Sequence, residues 1–244
     1  MIVGAGRGIG LAIAKKMAKQ GSALILTELP DRMEQLQENA QELAKDYQVS
    51  VQTLSLDIRN LENIKEVFLD LAQKEITLNY LVCNAGVNYL RKAIEVTEDI
   101  WDEVNDVNVK GNFFVMQEAA KQMIMGEGGS IVAIASQHGE KPNYDRAPYC
   151  ASKAALIHLC KELALEWAAY KIRVNTVSPS FVLYESNKEL LLSARGKREY
   201  LNTIPLHEYC SEDDVAGAVT YLLSEEARMI TGHNLLVDGG WMLK

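Results

Sequence analysis

The chain has 244 residues, with 25 Lys plus Arg against 33 Asp plus Glu and a formal net charge of −8. An acidic balance supplies no overall positive field for phosphate backbones, so nucleic acid is not expected as a partner, and 48% apolar with 24% charged residues excludes a disordered polyelectrolyte. No stretch reaches the ~18 uninterrupted apolar residues of a membrane span, and the opening Met1-Ile2-Val3-Gly4 has neither a basic nor a secretory apolar region, so the expected location is the cytoplasm.

In chain order, short apolar runs alternate with segments of helical spacing, as repeated βα units require. Ile2-Val3 opens the series; three residues precede Gly4, where a strand usually needs about five or six, so this strand looks cut short and central pairing would be lost if it lies mid-sheet. Gly4-Ala5-Gly6-Arg7-Gly8-Ile9-Gly10 then turns into a helix over Ile9 to Gln20, with apolar Ile9, Ile13 and Met17 and a stop at Gly21. Its glycines fit G-x-x-x-G-x-G at Gly4, Gly8 and Gly10 rather than G-x-G-x-x-G. Backbone N–H groups and the helix dipole at such a turn attract a pyrophosphate.

The second run, Ala23 to Thr27, leads to Glu28, eighteen residues beyond Gly10. A carboxylate there accepts hydrogen bonds from adenosine ribose hydroxyls and repels a 2′-phosphate, which favours NAD over NADP. Arg7 pulls the other way, toward a 2′-phosphate, or is a solvated loop cation. Further runs are Val49 to Leu56, Tyr80 to Cys83, Ile131 to Ala135, Ile172 to Val177 and Leu235 to Val237, near-continuous as suits parallel strands covered on both faces. Between the fifth and sixth, Tyr149 and Lys153 stand four apart on one helical face, where an ammonium can lower a phenol's pKa from near 10. Ser211 and Asp214 form a capping box ahead of Val215 to Leu223. No linker or repeat divides residues 1–244, and the expected fold is a single-domain, doubly wound α/β Rossmann-type sheet. Cys83, Cys150, Cys160 and Cys210 have no CxxC or metal-ligand spacing, and are read as reduced thiols with no metal.

The glycine loop, Asp57 after the third run, Asn84-Ala85-Gly86 after the fourth, Asn108, Ser136, Tyr149, Lys153, Asn175 and Asp238-Gly239-Gly240 stand in one order. In that order the chain resembles the short-chain dehydrogenase/reductase family from end to end. The resemblance implies a seven-stranded parallel sheet and nicotinamide-dependent interconversion of an alcohol and a carbonyl, commonly by a homotetramer. It implies Tyr149 as acid/base on the substrate oxygen, Ser136 as hydrogen-bond donor to it, and Lys153 as ribose ligand that also holds the tyrosine pKa down. Asn108 would position a water relaying the proton, or serve as a helix-kink amide. Gly4, Arg7, Gly8, Ile9, Gly10, Glu28, Asp57, Ile58, Asn84, Ala85, Gly86, Pro179 and Val182 would line the dinucleotide, with Asp57 and Ile58 at the adenine and Val182 offering its backbone.

Some positions depart from the family pattern. Val3 stands for a usual Thr, and Cys83 for the first Asn of Asn-Asn-Ala-Gly. In Pro179-Ser180-Phe181-Val182-Leu183-Tyr184, Ser180 replaces a Gly and Tyr184 a Thr that binds the cofactor. The phenol is too long for the threonine's position, which keeps open a non-catalytic nucleotide-binding relative. Segment 185–206 corresponds to a substrate lid. Its Arg195, Lys197 and Arg198 would attract a carboxylate or phosphate, or form a solvated helix face. His138, Asn143 and Tyr144 would line the same mouth, with an exposed loop histidine as the other reading of His138. Together with Gln137 these polar residues suggest a sugar, polyol or sugar acid, resembling the gluconate and polyol dehydrogenase branches; the rival is a 3-oxoacyl carrier-protein reductase.

Overall fold

Seven strands form at the apolar runs: β1 (Ile2–Val3), β2 (Leu24–Glu28), β3 (Val51–Ser55), β4 (Tyr80–Cys83), β5 (Gly129–Ile134), β6 (Ile172–Pro179) and β7 (Asn234–Val237). The computed structural model describes all residues, Met1–Lys244. Every pairing is parallel, in the order β3-β2-β1-β4-β5-β6-β7. Nine α-helices intervene: α1 (Gly8–Lys19), α2 (Met33–Tyr47), α3 (Leu61–Gln73), α4 (Glu98–Asn105), α5 (Asn112–Met125), α6 (Ala147–Trp167), α7 (Lys188–Leu192), α8 (Ala194–Glu199) and α9 (Glu212–Leu223). A π-helical turn, Asp106–Gly111, joins α4 to α5. No helix is long and apolar enough to cross a membrane.

Successive strand side chains point to opposite faces, and this divides the core in two. Val3, Leu81, Ile131 and Val174 pack with Leu71, Met116, Met123 and Leu156 under α3, α5 and α6. Ile2, Val82, Val132 and Val177 pack with Ile13, Leu36, Val215 and Leu222 under α1, α2 and α9. Burial on both faces explains the near-continuous apolar runs.

The short first strand keeps its central pairing, contrary to expectation. Ile2 lies opposite Leu26 and Val82, and Val3 opposite Thr27 and Cys83. Pairing continues past both ends: the Met1 nitrogen donates to the Tyr80 carbonyl at 2.7 Å, the Val82 N–H donates to the Met1 carbonyl, and the N–H groups of Gly4 and Ala5 both reach the Thr27 carbonyl at 3.0 Å. The two departures from the family pattern in the sheet centre meet at one place. Val3 and Cys83 face each other across the ladder, both 1% exposed, so an apolar pair closes a place where two polar side chains would each need a partner.

Helix ends follow local chemistry. α1 stops at Gln20, followed by Gly21 with φ +83°. The Ser211 hydroxyl accepts from the Asp214 N–H at 3.1 Å while Asp214 accepts from the Ser211 N–H at 2.8 Å, completing the capping box of α9. At the far end of α9 the Arg173 guanidinium donates to the carbonyls of Leu222, Leu223 and Ser224, a cation placed on the helix's negative pole.

Candidate active site

The strand order reverses between β1 and β4, where a doubly wound sheet leaves a crevice at the carboxyl ends of its strands. A cavity of about 960 Å³ opens there. Gly4, Arg7, Gly8, Ile9, Glu28, Asp57, Ile58, Asn84, Ala85 and Gly86 line it, ten of the cofactor residues expected from sequence. Gly10 lies behind them: a Cβ at this position would sit 2.1 Å from the Gly4 carbonyl oxygen and 2.8 Å from Asn84 Nδ2. The loop can therefore fold back on itself there with glycine alone. Asn84 Nδ2 donates to that same carbonyl at 2.6 Å and ties the loop to the end of β4. Arg7 precedes α1 without a side-chain cap, so the helix's first N–H groups are left for an anion.

Glu28 ends β2 with Oε2 accepting from the Gly6 N–H at 3.2 Å and Oε1 from the Leu29 N–H at 3.1 Å. Each oxygen retains acceptor capacity toward the cavity. Arg32, which sequence reasoning missed, lines the same end. Farther along, Arg59 grips Asp57 through Nε and Nη2, at 2.9 Å and 2.7 Å, and holds its carboxyl below the usual range. Its cause is chiefly that hydrogen bond.

A second cavity, about 400 Å³, lies beyond the ends of β5 and β6. Ser136, Tyr149, Lys153, Pro179 and Val182 all line it. Ser136 follows β5, its Oγ accepting from the His138 N–H at 3.1 Å. Tyr149 and Lys153 come from successive turns of α6, with Nζ 5.7 Å from the centre of the phenol ring. Lys153 is 3% exposed and donates to the Ile134 carbonyl at 2.8 Å. Burial pulls its pKa down from 10.5 to about 8. Burial also raises the Tyr149 phenol above its ordinary value, while the Ser136 hydroxyl and the Arg146 charge work to lower it. In the cavity desolvation dominates and disfavours the charged form of each group.

Asn108 is wholly buried in the π-helical turn. Its Oδ1 accepts from the Val87 N–H at 2.8 Å, and its Nδ2 donates to the Val87 carbonyl and to Ser152 Oγ. The side chain ties the backbone beyond β4 to α6, as a kink amide would, and its Oδ1 keeps a second acceptor position. Asn175 and Asp238 are likewise committed to backbone groups, of Ile230 and His233 and of Gly240 and Met242.

The family model described as enoyl-(acyl carrier protein) reductase matches residues 4–242. The chain belongs to the short-chain dehydrogenase/reductase family. It is 33% identical over 245 residues to an NAD-dependent glycerol dehydrogenase of Listeria innocua, covering 100% of this chain and 93% of the relative. A 3-oxoacyl-[acyl-carrier-protein] reductase of Rickettsia conorii is 37% identical over 243 residues, covering 100% and 96%. The crystal structure of an acetoin dehydrogenase from Salmonella typhimurium superposes with a TM-score of 0.87 at 32% identity, covering 100% and 97%. This short-chain dehydrogenase/reductase is thus an oxidoreductase acting on alcohol and ketone groups.

Several expected substrate residues of this dehydrogenase fold elsewhere. Tyr144 is 88% exposed and, like Asn143, lines neither cavity; Asn143 Oδ1 instead accepts from the Tyr144 N–H, turning the pair outward. Arg195 also lies outside both cavities, ion-paired with Glu199 one turn on at 2.9 Å, and Lys197 and Arg198 are exposed with it. The solvated-face reading of α8 is the one realised. His138 does line the small cavity but is no exposed loop residue. It is 5% exposed and stands edge-on to Phe181 and Trp241.

Segment 185–206 carries α7 and α8, and Leu191 of α7 reaches the small cavity. Tyr184 lines both cavities and packs on the glycine loop, its Cε1 3.4 Å from where a Gly8 Cβ would be. Sequence reasoning missed Arg146, Phe181, Asn187 and Leu191 as lining residues. Arg146, three positions before Tyr149, and Phe181, inside the altered Pro179–Tyr184 segment, had signals that spacing could have found.

Proposed function

We propose that the protein interconverts a small secondary alcohol and its ketone with NAD as the preferred cofactor, the substrate being a polyol, sugar or sugar acid. The observation that carries this is the meeting of Ser136, Tyr149 and Lys153 in one small cavity that joins the large cavity under the glycine loop at Tyr184. The residues present fit a nicotinamide dinucleotide. Uncapped N–H groups of α1 would hold its pyrophosphate, and Glu28 would take the adenosine ribose hydroxyls and disfavour a 2′-phosphate. Asp57 and Ile58 would meet the adenine, Asn84 to Gly86 the ribose, and Pro179 and Val182 the nicotinamide end. Ser180 Oγ, buried with no partner at that end, is a further hydroxyl free to bond it. When bound, the cofactor exchanges a hydride with the substrate carbon.

The protein's own part is proton chemistry and orientation. Tyr149 gives a proton to the substrate oxygen in reduction and takes it back in oxidation. Ser136 donates a hydrogen bond to that oxygen, fixes its direction and stabilises negative charge forming on it. Lys153, charged below about pH 8, favours phenolate through its field and binds the nicotinamide ribose. Asn108 holds the backbone around them.

The small cavity volume, together with relatives named for glycerol and acetoin, supports a short hydroxylated substrate. A second reading, reduction of a 3-oxoacyl thioester on an acidic carrier protein, is favoured by the exposed Lys197 and Arg198 and by the 37% identical reductase. Exposed Met125, Leu165 and Leu243 support self-association as a homotetramer, checked by light scattering, and we place the protein in the cytoplasm. The test is turnover of glycerol, 2,3-butanediol, gluconate and acetoacetyl thioesters with NAD(H), in the wild type and Tyr149→Phe. The variant should lose at least about a hundredfold in kcat and still bind NADH. Unchanged turnover in the variant refutes the mechanism, and turnover of thioesters alone refutes the substrate class.

A further inference from the structure

The charges lining the small cavity do not balance. Arg146 and Lys153 line it, and no Asp or Glu does, in a chain whose net charge is −8. His138 beside them is neutral, its pKa lowered to about 4 by burial first and then by the neighbouring Arg146. Lys153 has a defined place, donating to the Ile134 carbonyl beside the Tyr149 ring. Arg146 does not. It immediately precedes α6 and is half-buried, and its Nε donates to the Tyr144 carbonyl at 3.2 Å. It enters none of the eight ion pairs of the chain, and its two terminal amino groups make no hydrogen bond to the protein.

A cation in the cavity lining with no acidic residue there is matched when a ligand brings the anion, and the planar guanidinium fork fits a carboxylate. The position is suited to this. Arg146 and Tyr149 are one helical turn apart and line the same cavity, so a group held by Arg146 lies close to the atom that exchanges a proton with Tyr149. Phe181 and Leu191 supply apolar wall on the lid side.

We propose that the substrate is a short hydroxy or keto acid, whose carboxylate pairs with Arg146 while its hydroxyl or carbonyl oxygen meets Ser136 and Tyr149. The proposal rests on the dehydrogenase reading above and narrows it, making Arg146 the residue that selects acids over neutral polyols.

The test uses matched pairs that differ in charge: 3-hydroxybutyrate against 1,3-butanediol, and glycerate against glycerol, with NAD. The acid of each pair should have the higher kcat/KM by about tenfold or more. Arg146→Gln should lower that acid-to-neutral ratio by about 10- to 100-fold, mainly through KM, and Arg146→Lys should restore part of it. The ratio cancels any common effect of Arg146 on Tyr149, and NADH titration of the variant should match the wild type. Preference for the neutral members, or a ratio that Arg146→Gln leaves unchanged, overturns the proposal. If no member of either pair reduces NAD, the dehydrogenase reading fails separately. Calorimetric binding of 3-hydroxybutyrate then decides the anion site: binding by the wild type that Arg146→Gln abolishes supports it, and equal or absent binding overturns it.

Discussion

Replacing Lys153 by methionine should stabilise the protein while abolishing turnover. The ammonium is 3% exposed, with one carbonyl partner, and burial brings its pKa from 10.5 to about 8. At 1.36 kcal/mol per unit the charged form is disfavoured in the native state by about 3 kcal/mol at pH 7. Methionine keeps the length and apolar stem, removes that penalty and forfeits the hydrogen bond to Ile134, worth ~1 kcal/mol. The net gain is about 1–2 kcal/mol, or roughly 2–8 °C in Tm for a chain of this size.

The pH dependence supplies the sign. Between pH 8 and 10.5 native Lys153 has lost its proton while the unfolded chain retains it, so the unfolded state binds more protons and wild-type stability rises with pH. Below pH 8 that contribution is lost. The Tm advantage of Lys153→Met should therefore be largest near pH 7 and close as pH approaches 10.5. Calorimetric scans of both proteins at pH 7, 8.5 and 10 test this. A variant no more stable than the wild type at pH 7, or a gap that does not change with pH, refutes the assignment of Lys153 as a group held against its solvation for the sake of catalysis.

His138 acts with the same sign on the acid side: its folded pKa of about 4 lies below the ordinary 6.5, so stability present above pH 6.5 is lost as pH falls toward 4. Denaturant titrations should show His138→Phe flattening this acid limb by up to about 3 kcal/mol, and an unaltered limb would exclude the histidine as its source. Glu28→Ala should tighten NADPH binding about tenfold or more by removing like-charge repulsion, with Arg7 and Arg32 left in the same cavity end; NADPH affinity unchanged by fluorescence titration would remove Glu28 as the selector. Gly10→Ala should lower Tm by about 5–10 °C and weaken NADH, since its Cβ would overlap the Gly4 carbonyl at 2.1 Å; a variant with wild-type Tm and affinity would show that the loop can shift without cost.

The sheet was legible because buried parallel strands read as apolar runs, and each run became a strand within two residues of its expected ends. Ten expected cofactor residues line the large cavity for a related reason. They sit at the carboxyl ends of strands, where position in sequence fixes position in space to within a turn. Tyr149 and Lys153 were legible too, because helical spacing places them on one face. What they do to one another was not. Spacing gives proximity, whereas the pKa of each depends on how much water the lid, β5 and the segment after β6 leave around it, and that is a property of the assembled cavity.

Three of the four expected substrate residues lie outside both cavities for a physical reason. Asn143, Tyr144 and Arg195 lie in a loop and a short surface helix, where side-chain direction is set by local bonds: Asn143 to its neighbour's N–H, Arg195 to Glu199. Polarity alone could not distinguish residues facing the cavity from those facing solvent. Arg146 shares their loop, yet it is the residue from which the chain enters α6, three positions before Tyr149, and it lines the cavity. The same rule explains Tyr184. It follows β6 closely enough for the strand to carry it to the glycine loop, where it forms the wall shared by both cavities. Side chains within one turn of a strand end or helix start inherit the fold's geometry, and in this protein those are the residues that line the site.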